Sequence, residues 1–162
     1  TEMERMLNEY LQFASSSSEE KTETFNLSEL LESIISKYEK REISMNIPGK
    51  IYLDGRKNLI IRCFNNLIDN SIKYSKNILI TLKKSSNNIL ITIDDDGPGI
   101  PESERENVFK PFYKIDKSRS DSKSSVGLGL SIASDIIRSH GGNITLETSP
   151  AKGLRVKIFL PF

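Results

Sequence analysis

Residues 56–100 determine the fold and read RKNLIIRCFNNLIDNSIKYSKNILITLKKSSNNILITIDDDGPGI. Apolar residues recur at helical spacing over about 56–74, which predicts one long helix. Two alternating runs follow, NILITLKK (77–84) and NILITIDD (88–95), and the short polar stretch between them predicts a β-hairpin. This stretch therefore predicts a helix followed by an antiparallel pair of strands.

Two strands and a capped helix are predicted before this stretch. Asn26 is suited to cap the helix that follows it, with Glu29 three residues on as its capping-box partner. Residues 42–48 and 50–54 alternate as strands on either side of a Pro-Gly turn signal. The chain therefore mixes the helical and the strand period before the long helix begins.

The chain after the hairpin continues in the same mixed pattern. Residues 101–109 predict a short helix, and 110–126 form a polar, irregular stretch that is long for a loop, which predicts either a functional lid or disorder. A helix over about 127–139 should end at a Gly-Gly pair, and strands at 143–149 and 153–160 close the chain. We therefore predict an α+β fold: a two-layer α/β sandwich whose mixed, mainly antiparallel sheet is covered on one face by helices.

The composition restricts the classes of function. The 162 residues include 23 Lys and Arg against 22 Asp and Glu, and this balance argues against a nucleic-acid binder that works through a bulk basic field. A single cysteine excludes a disulfide framework and a multi-cysteine zinc site. No apolar run approaches the ~20 residues that span a bilayer, and the first residues lack the apolar core of a signal peptide.

Three segments are predicted along the chain. Residues 1–14 carry apolar residues at helical spacing but are short for an independent helix, so we expect the end of a longer helix. Residues 15–24 are polar and aperiodic, as in a linker, and 25–162 form the main domain. Because Thr1 is not a natural initiator, we expect the sequence to be an excerpt of a longer chain.

A polar stripe on the long helix is the first candidate site. At ~100° per residue, Arg62, Asn66, Asn70 and Lys73 share one side of the helix. A solvated face is the ordinary explanation, although such faces favour Glu and Lys over Asn. Carboxamide oxygens can face a hard cation and Lys can reach an anion, so the stripe also fits a metal-phosphate site.

Two glycine motifs are the other candidates. DDDGPGI (94–100) follows an apolar strand, and its glycines allow a close approach of the backbone to a ligand. SSVGLGL (124–130) leads into a helix, whose N-terminal N–H groups favour an anion. Each motif alone is weak, because ordinary turns use the same residues.

The order of the motifs resembles a known family. NLIDNSIKYS (66–75), DDGPGI (95–100), VFKPFYKID (108–116) and VGLGL (126–130) are similar to the N-box, first glycine box, F-box and second glycine box of sensor histidine kinases. The chain therefore resembles their catalytic ATP-binding domain, within the gyrase, Hsp90, histidine kinase and MutL ATPase group and its Bergerat-type fold. Among these kinases it looks most like the osmosensor EnvZ type.

The resemblance implies a role for individual residues. It implies that Asn66, Asn70 and Lys73 are catalytic, that Asn70 binds Mg²⁺, and that Asp95 accepts the adenine amino group. The residues that it implies for binding ATP are Asn70, Lys73, Tyr74, Asp95, Gly97, Gly99, Ile100, Lys114, Arg119, Val126, Gly127, Leu128, Gly129 and Leu130. Phe109 and Phe112 would anchor the lid against the core.

The chain departs from the family pattern at two places. Many relatives begin the second glycine box with Gly-Thr, whereas this chain has Ser125 and Val126. In the gyrase and Hsp90 branches a Glu that activates water stands at the position of Asn66, and Asn cannot act as a base. We therefore expect Mg·ATP to be held without efficient hydrolysis; a regulatory nucleotide-binding module without phosphotransfer is the alternative.

The resemblance also implies partners for the chain. They are the dimerisation/histidine-phosphotransfer domain of the same kinase and, through it, a response regulator receiver domain, with no nucleic acid. It implies a homodimer for the full-length kinase, a monomer for this fragment, and a cytoplasmic location within an inner-membrane sensor. Cys63 is expected to be an inert core thiol, and His140, the single histidine, to suit a helix C-terminus as a cation rather than to accept phosphate.

Overall fold

The computed structural model describes residues 4–5, 7–8, 10–11, 20–38, 42–111, 113 and 129–161. The described residues up to position 11 are helical. The elements that follow are, in chain order, β1 (Glu23–Asn26), α1 (Leu27–Ser36), β2 (Glu42–Asn46), β3 (Tyr52–Gly55), α2 (Lys57–Tyr74), β4 (Asn77–Lys84), β5 (Asn88–Asp95), the short 3-10 helices Glu102–Glu104 and Asn107–Phe109, α3 (Gly129–Ser139), β6 (Asn143–Thr148) and β7 (Leu154–Pro161).

The main sheet is mixed and mostly antiparallel. Its strand order is β2-β4-β5-β7-β6, in which only the β2–β4 pair is parallel. The predicted hairpin of β4 and β5 is present, with Ile80 opposite Ile93. Strands β2 and β3, on either side of the Pro-Gly turn, do not pair with each other, because β3 joins β1 in a separate two-stranded ribbon. The predicted α+β architecture is confirmed, with this ribbon as an addition.

The core lies between one face of the sheet and the helices. The fully buried strand residues include Ile80, Leu82, Ile89, Ile91, Ile93, Ile158 and Leu160. Helix α2 contributes Ile60, Phe64, Leu67 and Ile68, each at most 1% exposed. Cys63 lies among them, and burial raises the pKa of its thiol, as expected for an inert core cysteine. The alternating apolar residues of the sequence therefore face one shared interior.

Helix α1 begins, and helix α3 ends, where the sequence predicts. The Asn26 side chain accepts the Glu29 N–H at 3.1 Å and caps α1. At the end of α3, Gly141 adopts a left-handed φ of 78°. Gly142 then donates to the Ile137 carbonyl at 2.9 Å, which is the Schellman arrangement.

Two predicted segments differ from the structure. Residues 101–109 form two 3-10 helices instead of one α-helix, because only Val108 is buried and the turns close through i→i+3 bonds such as Glu104 N–H to Pro101 O at 2.9 Å. Strand β1 begins at Glu23, inside the stretch predicted as linker, because its backbone pairs with β3. Most of the predicted lid lies outside the described residues.

Within the described part of the chain, no helix combines the length and the apolar character that crossing a bilayer requires.

Candidate functional site

The polar stripe of α2 is half-buried rather than solvated. Arg62, Asn66, Asn70 and Lys73 all have intermediate exposure, whereas Tyr74 at the end of the helix is 54% exposed. Intermediate exposure means that neighbouring elements cover part of each side chain. The ordinary explanation of a fully solvated face therefore does not hold for this stripe.

Helix α3 runs antiparallel to α2 and begins beside the stripe. A methyl group placed on Gly129 would lie 4.0 Å from the Cβ atom of Asn66. Further along, the Cys63 thiol lies 3.8 Å from the Ala133 carbonyl. Beyond that, Arg56, just before α2, contacts His140, just after α3. Gly129 and Leu130, the last two residues of the second glycine box, thus open α3 at the level of the N-box, and Leu130 is buried.

Asp95 occupies the floor of this region. Asp95 is the last residue of β5 and is 5% exposed. Oxygen Oδ1 accepts two backbone N–H groups, from Gly97 at 3.0 Å and from Leu154 at 3.0 Å. No donor among the described residues reaches Oδ2. The carboxylate is therefore fixed through one oxygen, and the other can accept a hydrogen bond from a ligand.

Glycines are required around Asp95. A methyl group on Gly97 would lie 2.6 Å from the Tyr74 carbonyl oxygen, and one on Gly153 would lie 2.3 Å from the Asp95 carbonyl oxygen. Gly99 has a left-handed φ of 73°, which other residues rarely adopt. The close contact at Gly97 is with the backbone of Tyr74, so it joins the first glycine box to the end of α2; the predicted approach to a ligand stays a prediction.

The turn between β6 and β7 supports Asp95, and the sequence analysis did not identify it. The Ser149 hydroxyl donates to the Asp95 carbonyl oxygen at 2.6 Å and accepts the Gly153 N–H at 2.9 Å. Ser149 is buried. A Ser and a Gly four residues apart between two strands form an ordinary turn pattern. Only their contact with the glycine box identifies them as part of the candidate site.

Asp96 ties the glycine box to the segment after α2. Its carboxylate accepts the Lys76 N–H at 3.0 Å and, from Asn77, the N–H at 3.1 Å and the side-chain amide at 2.8 Å. These bonds, above all those from Asn77, lower the pKa of Asp96 to about 2. The carboxylate therefore stays ionised and keeps the end of α2 beside the glycine box.

An open groove of about 480 Å³ lies between residues 72–76 and 96–98. Its lining includes Lys73, Tyr74 and Gly97, which the sequence had implied for nucleotide binding. Asp95 lies beneath the glycine box and is not part of the lining. The volume is in the range of small-molecule sites, which are about 300–1,000 Å³.

Several predicted residues lie elsewhere or outside the described chain. Ile100 and Phe109 are half-buried and pack against the core. The predicted residues outside the described part are Lys114, Arg119, Val126, Gly127 and Leu128, as is Phe112. Among the described residues, no cluster of three His, Cys, Asp or Glu is arranged to hold a metal ion.

His140 does not act as a cation at the end of α3, and that expectation is wrong. Nδ1 lies 2.7 Å from the Ile136 carbonyl and donates to it, so Nε2 is the acceptor for the Arg56 N–H at 3.0 Å. Burial, as the main cause, lowers the pKa of His140. The ring is therefore a neutral connector between α3 and the start of α2.

Comparison with known proteins agrees with this geometry. Residues 55–162 match the family described as histidine kinase-, DNA gyrase B-, and HSP90-like ATPase. The sensor histidine kinase CpxA of Escherichia coli (strain K12) is 34% identical over 138 residues, which are 83% of this chain and 30% of CpxA. This chain therefore spans less than a third of the length of that relative.

Two solved structures share the fold. The catalytic domain of histidine kinase ThkA is 26% identical to this chain, with a TM-score of 0.76. The match covers 87% of this chain and 95% of the ThkA chain in that structure. The histidine kinase domain of the E. coli osmosensor EnvZ is 31% identical with a TM-score of 0.67, covering 86% of this chain and 88% of that one. The similarity to EnvZ is one of several, so a closer relationship to it stays a prediction. The chain belongs to the histidine kinase-, DNA gyrase B- and HSP90-like ATPase family, and it corresponds to the ATP-binding catalytic domain of sensor histidine kinases.

Proposed function

We propose that this domain binds Mg·ATP in the groove beside Asp95 and donates the γ-phosphate to a histidine on the dimerisation domain of a longer sensor kinase. The observation that carries the proposal is the Asp95 carboxylate, whose Oδ1 accepts two backbone N–H groups while no donor in the described part of the chain reaches Oδ2. Oδ2 would then accept the exocyclic N–H of adenine. Gly97, Gly99 and Ile100 would shape the pocket around the base.

The polar side of α2 would bind the phosphates. A Mg²⁺ ion keeps several waters and is usually held by one or two protein oxygens together with substrate phosphates. Here the Asn70 carboxamide would provide the protein oxygen, and ATP would provide the phosphates. Such an ion would neutralise charge on the phosphates. Lys73 would contact a phosphate, and the N–H groups at the start of α3, from Gly129 and Leu130, would face the anion. Lys114, Arg119 and residues 126–128 are proposed for the same task.

Two features favour phosphotransfer to another domain over hydrolysis. Asn66 stands where related ATPases have a catalytic Glu, and a carboxamide cannot take a proton from water. His140 is the single histidine of the sequence, and both its ring nitrogens are engaged in the fold. We therefore propose that the histidine that accepts the phosphate lies in a separate domain.

The parent protein would be a membrane-anchored homodimer. In this proposal residues 1–14 end the dimerisation helix and residues 15–22 form the linker. The catalytic domain then begins with β1 at Glu23 and acts in the cytoplasm. A response regulator receiver domain would take the phosphate from the acceptor histidine.

The test mixes this chain with a separately produced dimerisation domain of a sensor kinase and ATP labelled at the γ-phosphate. We expect acid-labile, base-stable label on the dimerisation domain, less transfer with Asp95→Asn at the same ATP concentration, and little release of free phosphate by the chain alone. Intact Mg·ATP binding without any labelled acceptor would favour a regulatory nucleotide-binding module. Fast hydrolysis by the chain alone, abolished in Asn66→Ala, would contradict the role given to Asn66.

A further inference from the structure

The N-terminus of α2 is capped by a residue from outside the helix. Its own N-cap residue, Arg56, makes no side-chain cap hydrogen bond. The Glu20 carboxylate instead accepts the Asn58 N–H at 2.7 Å and the Leu59 N–H at 3.1 Å, one on each oxygen. The first N–H groups of a helix lack partners within it and carry the positive end of its dipole, so a carboxylate stabilises this end.

His140 adds a third acceptor at the same place. Its Nε2 accepts the Arg56 N–H at 3.0 Å, and its ring packs so closely that a methyl group on Gly55 would lie 3.0 Å from it. The Arg56 guanidinium in turn donates to the Ser139 hydroxyl at 2.6 Å. Side chains from two distant parts of the chain therefore meet at the start of α2.

The lead-in segment, residues 20–22, is held at both of its ends. Glu20 binds α2, and β1 begins at Glu23, whose partner across the ribbon is Gly55. A cavity of about 480 Å³ lies here, with Glu20, Asp54, Arg56 and His140 in its walls. This cavity is distinct from the groove at residues 72–76 and 96–98, since the two share no lining residue.

We propose that Glu20 is a positioning residue that, together with His140 and Arg56, forms a composite cap. The composite cap anchors the lead-in segment and the end of α3 to the start of α2. The preceding chain therefore joins the domain at a fixed point on the helix that carries Asn66 and Asn70. The anchor depends neither on bound nucleotide nor on the proposed function.

A nitroxide label on a Lys21→Cys variant tests the anchor in the full chain. Lys21 is exposed, and the native Cys63 is fully buried and will not compete for the label. We compare Glu20→Gln, which removes the charge, and Glu20→Asp, which keeps the charge but shortens the reach. The matched control is Glu23→Gln, the same change on an exposed carboxylate three residues away.

We expect a slow label in the parent protein and in the control, and a fast one in both Glu20 variants. Amide exchange at Asn58 and Leu59 should accelerate by about tenfold in those variants. Ile144→Val, a core change in β6, provides a destabilised protein with an intact anchor. Its melting temperature should fall while the label stays slow, which separates anchoring from general stability.

Unchanged label mobility, or unchanged exchange at Asn58 and Leu59, in the Glu20 variants would overturn the proposal. Mg·ATP affinity is measured by calorimetry on the same samples and should change less than about twofold in the Glu20 variants, because the groove lies at the other end of α2. Absent nucleotide binding in the parent protein would count against the proposed function alone. A label that becomes fast in Ile144→Val as well would count against the anchor alone.

Discussion

Asp94, Asp95 and Asp96 are consecutive in the chain, yet each makes a different set of contacts. Asp94 pairs with the Arg155 guanidinium through two bonds of 2.6 and 3.0 Å. Asp95 binds backbone N–H groups through one oxygen, and Asp96 binds those of the segment after α2. Each carboxylate therefore fixes a different neighbour, and Asp95 is the one that we propose to contact adenine.

Replacing Asp95 by Asn should weaken ATP binding by about 1–3 kcal/mol, which is roughly five- to 150-fold in Kd. The amide would retain a similar size but could present an NH₂ group where adenine or Leu154 also donates. Isothermal titration calorimetry measures the change. The control is Asp94→Asn, the same substitution one residue earlier. It should lower stability, because the ion pair with Arg155 is lost, and should leave the ATP affinity within about twofold of the parent protein. Equal affinities in the parent protein and both variants would mean that adenine does not contact Asp95.

The pH dependence of folding should depend on His140. Its pKa in the folded protein is lowered, so the unfolded chain binds the proton more readily and stability falls as pH drops below the ordinary histidine value of about 6.5. Of the charged groups near the ring, Glu20 raises the pKa of His140 and so reduces the effect, whereas Arg56 lowers it further. Urea unfolding at pH 7.5 and 5.5 should show a larger loss for the parent protein than for His140→Gln, and an equal loss would contradict the neutral ring.

Helix α2 is the element on which the proposed site depends. Its start is capped by Glu20, its middle packs against α3, and its last residues line the groove. The polar stripe was predictable because 3.6-residue periodicity assigns side chains to faces. The element that covers the stripe was not predictable, because the sequence of one helix face does not specify which other element packs against it.

The face of α2 can be tested with two identical substitutions on opposite sides. Asn70→Ala should bring the ratio of ATP affinities with and without Mg²⁺ close to one, since the proposed protein ligand is lost. Asn65→Ala lies on the same helix, where the side chain accepts the Tyr38 hydroxyl at 3.3 Å, and should keep the Mg²⁺ response. Calorimetry with and without EDTA makes the comparison; a parental Mg²⁺ response in Asn70→Ala would refute the metal role.

Strand partners show the limit of prediction at the scale of elements. The β4–β5 hairpin was predictable because two matched periods flank a short polar turn. Strands β2 and β3 show the same pattern but pair with β4 and β1 instead. Alternation specifies which face is buried, not which strand lies alongside. The helix expected over 101–109 failed because its sequence offers too few apolar residues to bury.

At the scale of the whole molecule, the local motifs of the site were predictable and its long-range supports were not. The N–H of Leu154 reaches Asp95 from 59 residues away, and Glu20 reaches Asn58 from 38 residues away. Neither contact has a local signature, because both join a side chain to a distant backbone group that any residue possesses. Ser149 and Gly153 were hidden for the same reason.

The two cavities of equal volume allow the most direct test of nucleotide binding. The ¹H–¹⁵N amide spectrum of the whole chain is recorded during titration with Mg·ATP. We expect the largest chemical-shift changes at Gly97, Gly129 and Leu154, around the Asp95 carboxylate and the start of α3, with little change at Asn58 and Leu59. Largest changes at Asn58 and Leu59 instead, or none at Gly97 and Leu154 at saturation, would contradict the assignment of the ATP site.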